Sequence, residues 1–213
     1  MKICGLTDVQ QALKIAGMGA DAIGVIGVSG TPRFVADQAR HELFQTLESE
    51  APTVQRVWVV ANPDDVTLSN AFRVRGAPTV VQLHGNESAE RCYELKQRHP
   101  CMQWWKALRI RTQDDLRQLR VYSSCVDALL LDAWSPDQLG GTGHRLPLEW
   151  LTETALSLPW WLAGGISAEW IPELMAKVQP HGLDASSRLE ERAGWKDLSK
   201  VEALLKAVQS SGR

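Results

Sequence analysis

The sequence MKICGLT, Met1–Thr7, opens the chain with the unit that decides the fold. An apolar run that ends in a cysteine is long enough only for a buried strand, and Gly5 lets the chain turn sharply after it. Thr7 and Gln10 have the spacing of a capping box, so a helix is expected to begin at Asp8. The stretch predicts a strand, a tight turn and a helix, with a thiol at the carboxyl end of the strand.

Short apolar runs alternate with longer amphipathic stretches eight times along the 213 residues. The predicted strands are Met1–Cys4, Ala22–Ile26, Val54–Val60, Thr79–Leu83, Cys101–Leu108, Ala128–Ala133, Trp160–Ala163 and Gly182–Ser186. The predicted helices are Asp8–Gly17, Val35–Glu48, Pro63–Val74, Glu87–Arg98, Gln113–Val121, Leu148–Leu156, Ile171–Val178 and Asp197–Val208. This pattern predicts a single (β/α)₈ TIM barrel with a parallel sheet over residues 1–213. A doubly wound open sheet is the alternative, but it needs a glycine-rich first turn that CGLT lacks.

The composition is that of an ordinary globular protein, with 44% hydrophobic and 23% charged residues. A formal net charge of -2 offers no basic field for nucleic acid or an acidic membrane. No apolar run approaches the roughly 20 residues that span a bilayer, and no signal peptide pattern is present. The four cysteines show no CxxC pair and no metal-site spacing. We expect a cytoplasmic protein with reduced thiols and no metal, as a monomer or, alternatively, a homodimer.

In a barrel of this type, function belongs at the carboxyl ends of the strands, where Cys4 and Asp132 are placed. Asp132 follows three leucines, so lost hydration should raise its pKa and keep it protonated, as a general acid requires. Cys4 precedes a helix amino-terminus, whose dipole favours a thiolate. Strands one and six face each other across a closed ring, so the two groups predict an acid–base pair. The alternatives are a core cysteine and an aspartate that caps a loop.

Glycines and serines at the next strand ends predict a phosphate site. Loops after strands seven and eight of such barrels bind phosphate through backbone N–H groups and a short helix terminus. The candidates there are Gly164, Gly165, Ser186 and Ser187. A loop containing Gly141, Thr142 and Gly143 is expected to fold over the ligand. Turns that bind nothing are the alternative.

Three further polar residues interrupt the pattern near the strand ends. Arg33 in the second loop offers a planar fork for a substrate carboxylate, although a loop arginine is also often a solvated surface charge. His84 ends the fourth strand and either contacts substrate or hydrogen-bonds the neighbouring loop. Asp184 lies in the eighth strand.

The motifs KICGLT, TPRFV, QLHGNE, LLLDA followed by GGTG, LAGGI and GLDASS followed by Glu190 resemble those of phosphoribosylanthranilate isomerase. They run in order across nearly the whole chain. The resemblance implies a single-domain (β/α)₈ barrel of tryptophan biosynthesis that works without metal or organic cofactor. Its small-molecule phosphosugar substrate, N-(5-phosphoribosyl)anthranilate, would be rearranged to 1-(2-carboxyphenylamino)-1-deoxyribulose 5-phosphate.

The resemblance also implies roles for individual residues. Asp132 would be the general acid that opens the ribose ring, and Cys4 the general base that takes the proton from C2. Arg33 would hold the anthranilate carboxylate, and Asp184 would position the substrate near its amine. Phosphate would be held by Gly164, Gly165, Ser186 and Ser187.

The chain departs from the family pattern at two places. Arg188 stands where the family usually has glycine, so it either strains the turn or supplies an extra cation for phosphate. His144 replaces the lysine that usually follows GGTG. Two other functions stay open: another phosphosugar isomerase, which should pair carboxylates at strands one and five, and a barrel that binds phosphosugar without catalysis.

Overall fold

The computed structural model describes residues 1–133, 144–152 and 158–212. Eight parallel strands form a closed barrel in chain order, and β1 pairs with β8 to complete the ring. The strands are β1 (Lys2–Cys4), β2 (Ala22–Ile26), β3 (Gln55–Val60), β4 (Val80–Leu83), β5 (Gln103–Ile110), β6 (Ala128–Ala133), β7 (Trp160–Ala163) and β8 (Gly182–Ala185). The predicted barrel is confirmed.

Helices lie between the strands and cover the outside of the barrel. They are α1 (Val9–Gly17), α2 (Asp37–Glu50), α3 (Asp65–Phe72), α4 (Ala89–Arg98), α5 (Gln118–Tyr122), α6 (Ile171–Lys177) and α7 (Leu198–Ser210). A small antiparallel hairpin, β9 (Glu190–Arg192) and β10 (Trp195–Lys196), follows the last barrel strand and was not predicted.

The turn after β1 has the predicted shape, but the predicted capping box is wrong. Gly5 has a φ of 77°, a conformation that glycine adopts freely. The helix begins one residue late, because the Asp8 carboxylate accepts the N–H of Gln11 at 2.8 Å and caps it. The Thr7 hydroxyl is used elsewhere, since it donates to the Gly194 carbonyl at 2.8 Å.

Two predicted helices differ from the structure. The stretch predicted as one helix from 113 to 121 begins as a 3₁₀ segment, Gln113–Arg117, before α5. The Asp115 carboxylate there accepts hydrogen bonds from the backbone N–H groups of Arg111 and Thr112, and these bonds stabilise a tight first turn. Of the predicted helix 148–156, the described part is a 3₁₀ turn, Leu148–Trp150, and residues 153–157 lie outside the described residues.

Large aromatic side chains fill the amino-terminal half of the barrel. Trp105 and Trp161 pack with their ring centroids 4.6 Å apart, beside Val57 and Val80. Gly182 makes room for them, because a Cβ there would lie 2.3 Å from the Trp161 ring. The apolar filling leaves the carboxyl-terminal half of the interior to polar groups.

No helix within residues 1–133, 144–152 and 158–212 is long and apolar enough to cross a membrane. The same ranges contain no group of three or more His, Cys, Asp and Glu side chains that could hold a metal ion.

Candidate active site

A cavity of about 330 Å³ opens at the carboxyl ends of the barrel strands. Every predicted site residue in the described part of the chain lines it: Cys4, Arg33, His84, Asp132, Gly164, Gly165, Asp184, Ser186 and Ser187. The predicted closing loop with Gly141, Thr142 and Gly143 lies outside the described residues. The barrel therefore brings residues from six parts of the chain to one pocket.

Asp132 is the next-to-last residue of β6 and is 6% exposed. Burial, reinforced by the nearby Asp184 carboxylate, raises the pKa of Asp132 to about 7. The predicted shift is confirmed, and the carboxyl group holds its proton over much of the neutral range. A carboxyl group with such a pKa is able to donate a proton near neutral pH.

His84 follows β4 and lies next to Asp132, with its Nε2 3.8 Å from the carboxylate Oδ2. Burial and the positive charges of Lys106 and Lys2 lower the pKa of His84 to about 3, so the ring is neutral. The Gln82 amide Nε2 lies 3.1 Å from Nδ1. If that amide donates, Nδ1 accepts and the ring proton sits on Nε2, which has no hydrogen-bond partner among the described residues. The ring then offers a donor toward the cavity.

Cys4 ends β1 and is 6% exposed, but the predicted stabilisation of its thiolate by the helix is wrong. Burial raises the pKa of the Cys4 thiol above its ordinary value and outweighs the Lys2 ammonium, which acts to lower it. The charges of lysine side chains are what favour the thiolate here. The helix begins only at Val9, five residues after Cys4, with Asp8 as its N-cap.

Lys2 is the group inside the barrel that sequence reasoning missed. Its side chain is fully buried, and its Nζ donates to Asp184 Oδ2 at 2.8 Å. Burial alone would lower the pKa of Lys2, but the Asp184 and Cys4 side chains outweigh it and raise that pKa. Asp184 Oδ1 lacks a hydrogen-bond partner among the residues that the structure describes. One oxygen of Asp184 thus accepts from Lys2, and the other is available to accept a hydrogen bond from a ligand in the cavity.

Arg33 lies at the cavity as predicted, but Glu190 occupies part of its fork. Its Nε and Nη2 donate to the two Glu190 oxygens at 2.8 and 2.7 Å, and the Glu190 side chain is only 6% exposed. Lys196 from β10 donates to Glu190 as well, at 2.7 Å. The unpredicted hairpin therefore fixes the position of Arg33, and Nη1 is the nitrogen that this pair does not use.

The Glu190 pair should make stability depend on acid pH. Burial by itself would raise the pKa of Glu190, but bonds from Arg33 and Lys196 overcome it and hold that pKa at about 2. A depressed carboxylate pKa stabilises the fold fully above the unfolded value near 4.5, and this contribution is lost as pH falls toward 2.

We therefore expect Glu190→Gln to destabilise the chain most at neutral pH. The difference in unfolding free energy from the native chain should shrink by on the order of 2 kcal/mol as the pH falls below 4.5. Urea unfolding, repeated down to the lowest pH at which the chain stays folded, measures it. Glu191→Gln, an exposed neighbour, is the matched control. A difference that is constant with pH would contradict the expected depressed pKa.

The loops after β7 and β8, which were predicted to bind phosphate, contain backbone that a ligand can approach closely. Gly164 and Gly165 have φ values of 93° and 64°, and a Cβ at Gly164 would lie 2.5 Å from the carbonyl oxygen of His144. The Ser186 hydroxyl donates to the Cys4 carbonyl at 3.0 Å. Arg188 borders the cavity. Its backbone does not have a positive φ, since Asn62 is the only non-glycine residue with a positive φ in the described part, so the strain expected from replacing a glycine is not present.

Sequence reasoning missed Lys2, Gln82 and Lys196. Lys2 and Gln82 could have been found from strand geometry, since alternate residues of a strand face the same side. Lys2 precedes Cys4 by two residues, and Gln82 precedes His84 by two. Lys196 carries no such signal, because the hairpin that delivers it lies beyond the barrel strands.

Known proteins resemble the chain over nearly its whole length. A family model described as N-(5'phosphoribosyl)anthranilate (PRA) isomerase matches residues 1–207. The N-(5'-phosphoribosyl)anthranilate isomerase of Synechococcus elongatus is 44% identical over 208 residues, which cover 98% of this chain and 95% of that protein. The protein of the same name from Nostoc punctiforme is 41% identical over 210 residues, with 99% and 98% covered.

A solved structure agrees with these relatives. The phosphoribosyl anthranilate isomerase from Thermus thermophilus superimposes with a TM-score of 0.83 at 30% identity, covering 98% of each chain. The match of sequence, barrel and strand-end motifs leads to one conclusion. This chain belongs to the N-(5'-phosphoribosyl)anthranilate isomerase family.

Proposed function

We propose that the chain converts N-(5-phosphoribosyl)anthranilate to 1-(2-carboxyphenylamino)-1-deoxyribulose 5-phosphate, by an Amadori rearrangement without a cofactor, in tryptophan biosynthesis. The observation that carries this proposal is the meeting of the Asp132 carboxyl group and the Cys4 thiol in one cavity, with two phosphate-type loops at its rim. Family membership supplies the substrate. The carboxyl group and the thiol supply the acid and the base that the rearrangement needs.

The first step is ring opening. Asp132 donates its proton to the ribose ring oxygen while the lone pair of the anthranilate nitrogen forms a Schiff base with C1. A pKa of about 7 leaves the carboxyl group protonated often enough to act near neutral pH. His84 faces the same carboxyl group, and a proton on its Nε2 would stabilise the carboxylate that forms.

The second step moves a proton from C2. Cys4, as its thiolate, takes that proton and becomes a thiol, while the C2 electrons form an enolamine with the Schiff base. The enolamine then tautomerises to the ketone, as its 2-hydroxyl group loses a proton and C1 gains one. The thiolate is the reactive form, so the rate of this step depends on the fraction of Cys4 that is ionised.

The other lining residues bind and orient the substrate. Arg33 is fixed by its two hydrogen bonds to Glu190, and its Nη1 would donate to the anthranilate carboxylate. The free oxygen of Asp184 would accept a hydrogen bond near the substrate amine. Phosphate would bind to backbone N–H groups and hydroxyls at Gly164, Gly165, Ser186 and Ser187.

Turnover of freshly prepared N-(5-phosphoribosyl)anthranilate, followed by loss of anthranilate fluorescence, tests the proposal directly. The proposal predicts turnover by the native chain without added metal or cofactor, unchanged by a chelator. Binding of the substrate without turnover would instead identify a barrel that only binds phosphosugar. Absence of binding and of turnover would favour another phosphosugar isomerase.

Arg188 should contribute to phosphate binding rather than to the chemical step, since it borders the cavity on the 3₁₀ turn after Ser186. We expect Arg188→Gly to raise KM about 10-fold with a smaller change in kcat, because a phosphate contact is uniform binding energy. Steady-state kinetics beside Arg192→Gly, a control on the nearby hairpin, measures it. Equal falls in kcat and kcat/KM with unchanged KM would contradict this role.

Some predictions concern the protein beyond its site. That residues 1–213 act as one catalytic domain, that the chain is a monomer rather than a homodimer, and that it is cytoplasmic without nucleic-acid or membrane partners all stay predictions.

A further inference from the structure

Lys2 is a buried charge for which the reaction above has no use. Lysine is rarely fully buried unless a partner balances its charge, because an isolated ammonium is costly to remove from water. Lys2 and Cys4 occupy alternate positions of β1 and point to the same inner side. Gly24 on β2 shows how close they come: a Cβ there would lie 3.0 Å from Lys2 Cε and 2.7 Å from Cys4 Sγ.

The other ionisable groups near the thiol are already committed. Arg33 and Lys196 are hydrogen-bonded to Glu190, and His84 is neutral. Asp184 accepts from Lys2. The groups that face Cys4 or share its cavity are Lys2 from β1, Arg33 from the loop after β2, His84 after β4, Asp132 from β6, Asp184 from β8, Arg188 from the turn after β8 and Lys196 from β10.

We propose that Lys2 is a positioning residue whose ammonium serves as the counter-charge of the Cys4 thiolate, with Asp184 competing for that ammonium. The inference rests on the proposed role of Cys4 as the base. The thiol gives its proton to solvent, the thiolate takes the proton from C2, and Lys2 keeps its own protons throughout. Lys2 and Asp184 therefore act on the thiol in opposite directions.

This opposition separates the proposal from a purely structural role. A lysine that only neutralises Asp184 would have no effect on the titration of Cys4 once Asp184→Asn has removed that charge, so adding Lys2→Met to Asp184→Asn would change nothing. A counter-charge predicts that Lys2→Met raises the pKa of Cys4 by about one unit or more, since an opposite charge within reach shifts a pKa by that amount. Asp184→Asn should lower the pKa of Cys4, because it leaves the ammonium to the thiolate alone.

The experiment titrates the thiol itself. Cys101 is the exposed cysteine, so a Cys101→Ser background removes its signal, and the buried Cys92, with a pKa raised to about 12 by burial, stays protonated. Thiolate absorbance in the ultraviolet is followed against pH, and the same titration of Cys4→Ser is subtracted. Circular dichroism verifies that each variant is folded. The pH optimum of kcat/KM should move in the same direction as the thiol titration.

The outcomes are distinct. A Cys4 titration that moves up when Lys2→Met is introduced, alone and in the Asp184→Asn background, supports the proposal. An unchanged titration in folded Lys2→Met, alone or in the Asp184→Asn background, overturns it. If Lys2→Met fails to fold, Asp184→Asn decides alone, and a Cys4 pKa that stays or rises there overturns the proposal. Because titration needs no turnover, an inactive native chain would contradict the proposed function and leave this coupling measurable.

Discussion

Asp132→Asn is expected to lower kcat by about 10²- to 10⁴-fold, with a much smaller effect on KM. The amide keeps the shape of the carboxyl group and its place at the end of β6, but it has no acidic proton to give to the ring oxygen. Steady-state kinetics with N-(5-phosphoribosyl)anthranilate measures the effect. Asp114→Asn is the control, since that carboxylate lies on the surface in a pair with Arg117. Activity within a few-fold of the native chain would exclude Asp132 as the acid.

The pH dependence of the native chain is a second test of Asp132 as the general acid. Burial and Asp184 raise the pKa of Asp132 to about 7, so its protonated fraction falls as the pH rises through that value. A general acid acts in its protonated form, and the rate of the ring-opening step, measured in a single turnover, should therefore decline above about pH 7. This decline should be absent from the residual activity of Asp132→Asn. A decline that persists there belongs to another group.

Cys4→Ser is expected to lower kcat by a similar factor, about 10²- to 10⁴-fold. Serine is nearly the same size, but its hydroxyl ionises far less readily than a thiol, so the base that takes the C2 proton is lost. Substrate binding should change little, because Arg33 and the phosphate loops keep their places. Kinetics and substrate binding by equilibrium titration measure the two effects separately.

The chain offers a control for the cysteine substitution. Cys101→Ser changes an exposed thiol outside the cavity and should leave kcat and KM unchanged. Activity that survives Cys4→Ser little changed would leave the substrate assignment in place and remove Cys4 as the base. Loss of activity with loss of folding, checked by circular dichroism, would have to be resolved by Cys4→Ala.

The barrel and the position of its site were predictable from local pattern. Apolar runs at regular spacing place eight strands, and every parallel strand of such a barrel ends at the same face. For that reason Cys4, Asp132 and the Gly164–Gly165 turn meet in the structure as predicted. The burial of Asp132 was predictable as well, because three leucines precede it.

The charges around Cys4 were not predictable in this way. Asp184 reaches Lys2 because β8 closes on β1, so residues 182 positions apart become neighbours. Arg33 is held by Glu190, 157 positions along, through a hairpin that follows the barrel. Local pattern also misjudged Cys4, because the assembled barrel buries the thiol and that burial raises its pKa.

The sequence by itself thus determined the architecture and the chemical groups at the site, because hydrophobic periodicity and strand-end position are local properties. Only the tertiary structure decided which of those groups are charged and what they are paired with. A pKa depends on burial and on charges that arrive from distant parts of the chain, and both exist only once the ring of strands is closed.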